Sequence, residues 1–323
     1  MSSFKKTSFF LGPFVWLVSL LMHTNYQESS LLLMLGVAFW MILWWIAEVV
    51  PIYVTALLPM VLFPALGIFS VKETFQPYAN PIIFLFMGGF IIALAMEKRK
   101  LHLRIALNLI KITGTKPTGI ILGFSIATAF LSMWISNTAT TVMMLPIAMS
   151  VIQLLKLQEE TKEYKKFGLA LMLAIAYSAN IGGTMTLIGT PPNIVFAGFL
   201  LERYQIEISF GEWMLIGVPF GVLMLTITYF VLTKGVIKIQ LPKIEGAKQL
   251  IANELSALGK MQKAESLVLL VFVLTASLWM FKGQVNTLIF GSAVLNNTSI
   301  AMIGGLLMFC LPVQLSSSEF LLD

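Results

Sequence analysis

Two strings of small polar residues are the places where this chain could do chemistry, although neither holds an acid, a base or a histidine. The first is Ser132-Met133-Trp134-Ile135-Ser136-Asn137-Thr138-Ala139-Thr140-Thr141. Ser132 and Ser136 stand four apart, so on a helix they share a face and their hydroxyls can meet one ion. Where a helix breaks inside a membrane, its last carbonyls lose their partners and can coordinate Na⁺. The next half-helix then offers free N–H groups and a positive dipole end to an anion. Asn137 and Thr138 fall at such a junction. A plainer reading also fits the string: small polar residues let membrane helices approach closely or share hydrogen bonds.

The second string is Ser178-Ala179-Asn180-Ile181-Gly182-Gly183-Thr184-Met185-Thr186-Leu187-Ile188-Gly189-Thr190-Pro191-Pro192-Asn193. Three glycines and a Pro-Pro pair this close together unwind a helix. At membrane depth, freed backbone is tolerated only where it is buried in protein or lines a cavity, and a Gly/Pro-interrupted span points to a transporter site. A packing kink explains one glycine but not the whole string. The Gly-Lys-Ser/Thr ending of a phosphate-binding loop is absent.

Elsewhere the chemistry is sparse. Glu48, after Trp44-Trp45 and before Pro51, is the one acid deep in an apolar region, and its place at a helix end suits a cap or structural partner better than a proton relay. The single cysteine, Cys310, has no intramolecular partner, and His23 and His102 lie far apart, so no metal site or cofactor is expected. No paired acids, His cluster or nucleophile–base pair argues for an enzyme.

The elements that must carry these strings are membrane helices. Hydrophobic residues make up 58% of the 323 positions and charged residues 11%, against roughly 25% charged in a soluble domain. Mean hydropathy is +0.90. The net charge of +6 does not mark a nucleic-acid-binding face, because Lys and Arg fall in short segments between apolar runs. Lys5 and Lys6 before an apolar run resemble a signal peptide, but no small-residue cleavage site follows, and the run reads as a first membrane helix. Spans are expected at 9–24, 31–50, 52–69, 81–96, 167–200, 213–233, 264–281 and 299–313.

Loop charge sets the topology. With Lys5 and Lys6 cytoplasmic, the apolar segments alternate so that 24–30, 70–80, 201–212 and 282–298 lie outside. The cluster Lys98-Arg99-Lys100 with Arg104, Lys111 and Lys116 lies inside, as does 234–263 with its lysines, including Lys243. Residues 97–116 suit an amphipathic helix in the membrane interface. The apolar stretch 117–157 has positive flanks on both sides and must enter and return. Its arms, 120–135 and 139–155, are 16 and 17 residues, roughly 24–26 Å of helix. A re-entrant hairpin fits short arms and a polar tip, though two full spans would return to the same side.

These residues resemble the divalent-anion/sodium symporter family, which includes sodium-dependent di- and tricarboxylate carriers. The likeness rests on Trp44-Trp45-Ile46-Ala47-Glu48 through Thr55, Pro59, Phe63-Pro64 and Gly67; on Asn80-Pro81 with Gly88-Gly89-Phe90 and Ala95-Met96-Glu97; and on the two polar strings. It implies an all-α polytopic membrane protein with an inverted-repeat, elevator-type transporter fold, each repeat giving one re-entrant hairpin and one broken helix. The expected parts are scaffold helices at 1–96, an interfacial helix at 97–116, the hairpin at 117–157, and a broken helix and following span at 158–233. A cytoplasmic loop at 234–263 and the start of a second repeat at 264–323 complete them.

By the same resemblance Ser132, Ser136, Asn137 and Gly189 would bind sodium, and Asn137, Thr138 and Thr190 would touch a substrate carboxylate. It also implies Na⁺ as the coupling ion, a homodimer when full length, the plasma (inner) membrane with a cytoplasmic N-terminus, and transport of a di- or tricarboxylate. The same fold could instead carry sulfate or another anion. The expected second Ser-Asn-Thr hairpin does not follow span 299–313. The ending Ser316-Ser317-Ser318-Glu319-Phe320-Leu321-Leu322-Asp323 reads like linker, so a fragment, or a non-transporting scaffold, is expected.

Overall fold

The computed structural model describes residues 3–26, 30–156, 162–239, 241, 244, 246–314 and 319–322. Residues 27–29, 157, Lys243, Ser316–Ser318 and Asp323, which figure in the expectations above, lie outside the described residues. Among the described residues the chain is helical, with one isolated antiparallel bridge between Pro312 and Phe320. Seven segments there are long and apolar enough to cross a membrane: Ser3–His23, Ser30–Ala47, Val71–Lys98, Asn137–Leu154, Lys162–Thr184, Phe210–Val236 and Lys263–Met280. The chain divides into two compact units, 1–83 and 84–323.

In the first unit, α1 (Ser3–Tyr26) and α2 (Ser30–Ala47) pair. Gly12 lies against the Trp40 ring and Gly36 against Ser19, so a methyl group at either would collide. The Trp44 indole donates to the Ser8 carbonyl at 3.1 Å. Small residues thus bring two helices together where apolar surface alone gives no preference for protein over lipid. Glu48 takes φ +46° just past α2 and its carboxylate is exposed, a helix-terminating role. The single span expected at 52–69 is two short helices, α3 (Ile52–Thr55) and α4 (Leu58–Ala65). Pro59, at the second position of α4, explains the division because it cannot donate back into α3, whereas Pro51 caps the start of α3 and Pro64 lies inside α4. Next, α5 (Val71–Phe75) opens with a capping box between Ser70 and Glu73.

The second unit carries both polar strings. After α6 (Pro81–Lys98), Lys100 adopts φ +56° and turns the chain into α7 (Leu101–Ile112). One face of α7, with Ala106, Leu107 and Ile110, is buried on α8 (Pro117–Ser132). The following α9 (Asn137–Lys156) is longer than the arm expected at 139–155, because Asn137 and Thr138 join the helix and Ser136 precedes it. Length alone therefore marks α9, at 20 residues, as able to cross, while α8 has only 16.

The run expected at 167–200 is two helices, α10 (Lys162–Thr184) and α11 (Pro191–Tyr204), interrupted at 185–190. Then come α12 (Phe210–Phe230), α13 (Ala247–Ala257), α14 (Lys263–Met280), α15 (Lys282–Val285) and α16 (Asn297–Cys310). The segment expected as a loop at 234–263 thus contains a helix, with Ala247 and Ile251 buried beside the α7 core. The last expected span is only 14 residues long.

The α8–α10 core, built on Phe124, Leu131, Phe167 and Ala174, fixes the ends of those helices. Gly182 lies so close to the backbone of Ala129 that no side chain fits between them. Two ion pairs join elements far apart in sequence: Lys282 pairs with Glu207 at 2.8 Å, and Arg104 pairs with Glu265.

Candidate functional site

Four helix ends converge where the two polar strings meet. C-termini come from α8 and α10, N-termini from α9 and α11. Three contacts tie them. The Ser132 hydroxyl donates to Asn137 Oδ1 at 2.7 Å, Thr186 Oγ1 donates to the Met133 carbonyl, and Gly182 seats on Ala129. Gly183 faces the Asn137 carboxamide and Gly189 faces the Gly183 backbone, both closer than any Cβ would permit. So Ser132, Asn137, Gly183 and Gly189 form one continuous cluster, and glycine is required at the last two by close approach rather than by backbone angle.

The direction of the hydrogen bonds decides what this cluster can bind. Ser132 donates to Asn137, the Asn137 Nδ2 donates to Asn180 Oδ1 at 3.1 Å, and the Asn180 Nδ2 donates to the Ala176 carbonyl at 3.2 Å. A backbone carbonyl can only accept, so the whole chain runs one way. Having given up its proton, the Ser132 oxygen keeps both lone pairs, and Asn137 Oδ1 keeps one. Hard cations take oxygen ligands of this kind. No titratable group stands among these residues, so any charge arrives with the ligand.

Ser136 is the N-cap of α9: its hydroxyl accepts the Ala139 N–H at 3.3 Å. Thr138, in the first turn, is exposed, and Asn137 is half-buried. The α9 N-terminus thus presents its first backbone donors and its positive dipole end beside Thr138. The α11 N-terminus differs. Thr190 is its N-cap, in extended conformation and with no side-chain capping bond, and the next two residues are Pro191 and Pro192. Neither proline has an N–H, so this end offers an anion the Thr190 hydroxyl and backbone N–H and the dipole, without the first-turn donors that α9 has.

Three residues that build the site had no role assigned from sequence: Asn180 and Asn193 were quoted in the second string, and Trp213 was not named. Asn180 orients Asn137. Asn193 donates from one amide nitrogen to the Gly183 and Thr186 carbonyls, both at 2.8 Å, which stitches the unwound segment to the helix after it. Trp213, on α12, donates to the Thr184 carbonyl at 3.0 Å and closes the end of α10. Asn180 was the most findable, being a carboxamide in a run of small and apolar residues. Trp213 carried no signal, since its partner is a backbone atom 29 residues away. Of the expected site residues, the contacts join Ser132, Asn137 and Gly189; Ser136 borders them as a cap, while Thr138 and Thr190 head the two N-termini.

The sodium:sulfate symporter transmembrane region family matches this chain over residues 8–316. A sodium-dependent dicarboxylate transporter SdcS of Staphylococcus saprophyticus is 40% identical over 311 residues, which cover 94% of this chain and 60% of that protein. One of the same name from Staphylococcus aureus strain USA300 is 40% identical over 274 residues, covering 83% of this chain and 53% of its own. The chain therefore spans a little over half the length of the curated relatives it matches.

Proposed function

This chain belongs to the sodium:sulfate symporter transmembrane family, and from that premise we propose that it serves sodium-coupled transport of a di- or tricarboxylate anion. The observation that carries the reading is the one-way chain from Ser132 through Asn137 and Asn180 to Ala176, which leaves oxygen lone pairs facing the cluster. In this reading Na⁺ is held by Ser132, Ser136, Asn137 and Gly189. The substrate carboxylate lies at the two N-termini, against Asn137, Thr138 and Thr190. Asn137 serves both ligands, so a bound cation lowers the cost of bringing a multiply charged anion to mid-membrane. Neutral groups suit a carrier because release must also occur, and a permanent Arg would be costly to carry through a lipid-facing environment.

The wider architecture is proposed with it: an inverted-repeat, elevator-type carrier in which 1–96 is scaffold, 97–116 an interfacial collar, 117–157 a re-entrant hairpin and 158–233 a broken helix and following span. The segment 234–263 is cytoplasmic, and a second repeat begins near 264. The carrier works as a homodimer at full length, in the plasma membrane with a cytoplasmic N-terminus. The coverage of relatives means that activity is proposed for the full-length carrier, with the 323 residues supplying this cation site. Choice of a carboxylate over sulfate follows the names of the relatives, whereas the family's description names sulfate. A scaffold without transport is the remaining alternative.

Labelled succinate uptake into vesicles carrying the full-length protein tests this. Uptake is expected to require Na⁺ and to fall sharply in Asn137→Ala. Uptake indifferent to Na⁺ would sink the coupling, and uptake of sulfate but not succinate would reassign the substrate.

A further inference from the structure

One face of α12 meets both polar strings. Phe210, Trp213, Gly217 and Gly221 follow one another at helical spacing and so line one side of the helix. The buried Phe210 ring stacks on Trp134, which lies between Ser132 and Ser136, at 6.1 Å and 16°. Trp213 donates to the Thr184 carbonyl. A Cβ at Gly217 would stand 2.8 Å from the Met185 carbonyl oxygen and 3.1 Å from that of Thr184, and one at Gly221 would collide with the Met185 side chain. We infer that this glycine notch seats the unwound segment after α10, and that Gly217 and Gly221 are positioning residues of the cation site, a role that rests on Na⁺ binding there as proposed.

Two glycines four apart in an apolar helix ordinarily let a second helix approach. What fills this notch is not helical. Met185 is the first residue past α10, buried, with its N–H on the Gly182 carbonyl at 3.0 Å. A chain that has left the helical ladder keeps its shape only where its surroundings fix it. Three contacts do so here. The notch holds Met185, the Asn193 amide holds the Gly183 and Thr186 carbonyls, and the Thr186 hydroxyl donates to the carbonyl of Met133, the neighbour of Ser132. Met185 and Thr186 are adjacent, so a shift of the Met185 backbone carries the Thr186 hydroxyl away from Met133. The tie between the two strings is then lost.

The two glycines differ in what an added methyl group would strike. At Gly217 it meets backbone carbonyls, which yield only if the segment itself moves. At Gly221 it meets a thioether side chain with rotatable bonds, which can turn aside. A graded loss of sodium affinity, large at Gly217 and small at Gly221, is therefore the signature of a seat. The Trp213 bond adds stability to the same corner, while the notch fixes where Met185 lies.

The test melts the whole 323-residue chain in detergent micelles over a series of NaCl concentrations, with choline chloride holding ionic strength constant. In Gly217→Ala the relaxed segment must be pressed back against the methyl group before Na⁺ can bind. Affinity is expected to fall by that overpacking strain, roughly 5- to 150-fold. Gly221→Ala should lose less, roughly 2- to 5-fold, because Met185 can rotate. Leu223→Ala, exposed on another side of α12, should keep the wild-type response to sodium. In vesicles carrying the full-length protein, Gly217→Ala should raise the KM for Na⁺ and keep kcat at saturating Na⁺. Melting temperatures that drop in both glycine variants while the sodium-induced rise stays complete would mean packing alone and overturn the inference, as would an equal loss in Leu223→Ala. If Gly217→Ala does not fold, an unchanged sodium response in Gly221→Ala overturns it. A wild-type chain that shows no sodium-induced rise overturns the sodium reading and this role with it.

Discussion

Asn180→Ala separates a carboxamide that orients a ligand from one that is a ligand. The substitution removes the acceptor that fixes Asn137 Nδ2, at 3.1 Å, and frees the Asn137 amide to turn. One hydrogen bond contributes about 0.5–1.5 kcal/mol net, and Asn180 is exposed, which favours the low end. Na⁺ affinity should therefore fall roughly 2- to 12-fold, with binding retained at saturation. Melting the chain in NaCl against choline chloride at equal ionic strength reads this directly. At a Na⁺ concentration near ten times the wild-type Kd, ligand stabilisation is about 1.4 kcal/mol, and a fivefold weaker site leaves about 0.6 kcal/mol. Asn137→Ala, which removes the oxygen proposed as the ligand, should abolish the increment. If Asn180→Ala keeps the full sodium increment, the one-way hydrogen-bond chain does not organise the site.

Other substitutions probe the same framework. Gly183→Ala places a methyl group against the Asn137 amide; a loss of about 1–3 kcal/mol from overpacking is expected together with loss of the sodium increment, measured in the same melts. Trp213→Phe removes the donor to the Thr184 carbonyl, and should cost about 1 kcal/mol of stability while sodium binding persists. His102 is buried, and burial pushes its pKa below the ordinary 6.5, against weaker opposing effects of the Met96 carbonyl at 3.1 Å and of Glu97. The unfolded chain then takes up the proton first, so stability is full above about pH 6.5 and declines as pH falls below it. His102→Gln should flatten that decline in a pH series of melting temperatures.

The sequence was read well where one residue type controls one local event. Pro191-Pro192 after three glycines located the break in the second string, and α10 and α11 flank it. It was read less well where several weak signals compete. The apolar run at 52–69 looked continuous by hydropathy, yet Pro59 opens a second helix within it. Ser136 was placed at a hairpin tip with Asn137 and Thr138, whereas its capping bond to Ala139 draws both into α9. Partners such as Asn137 with Asn180, 43 residues apart, depend on how α9 seats on α10, and periodicity does not report that.

The two prolines that open α11 have a further consequence. One face of the site keeps oxygen lone pairs on Ser132 and Asn137, because its hydrogen-bond chain ends on a carbonyl that cannot reverse. The opposite ends offer donors, rigid backbone N–H groups at α9 and, at α11, the rotating hydroxyl and the one backbone N–H of Thr190. In the proposed reading the cation and the anion would meet different groups except at Asn137, which borders both. An anion held between these two ends would have a firm seat on one side and a yielding one on the other.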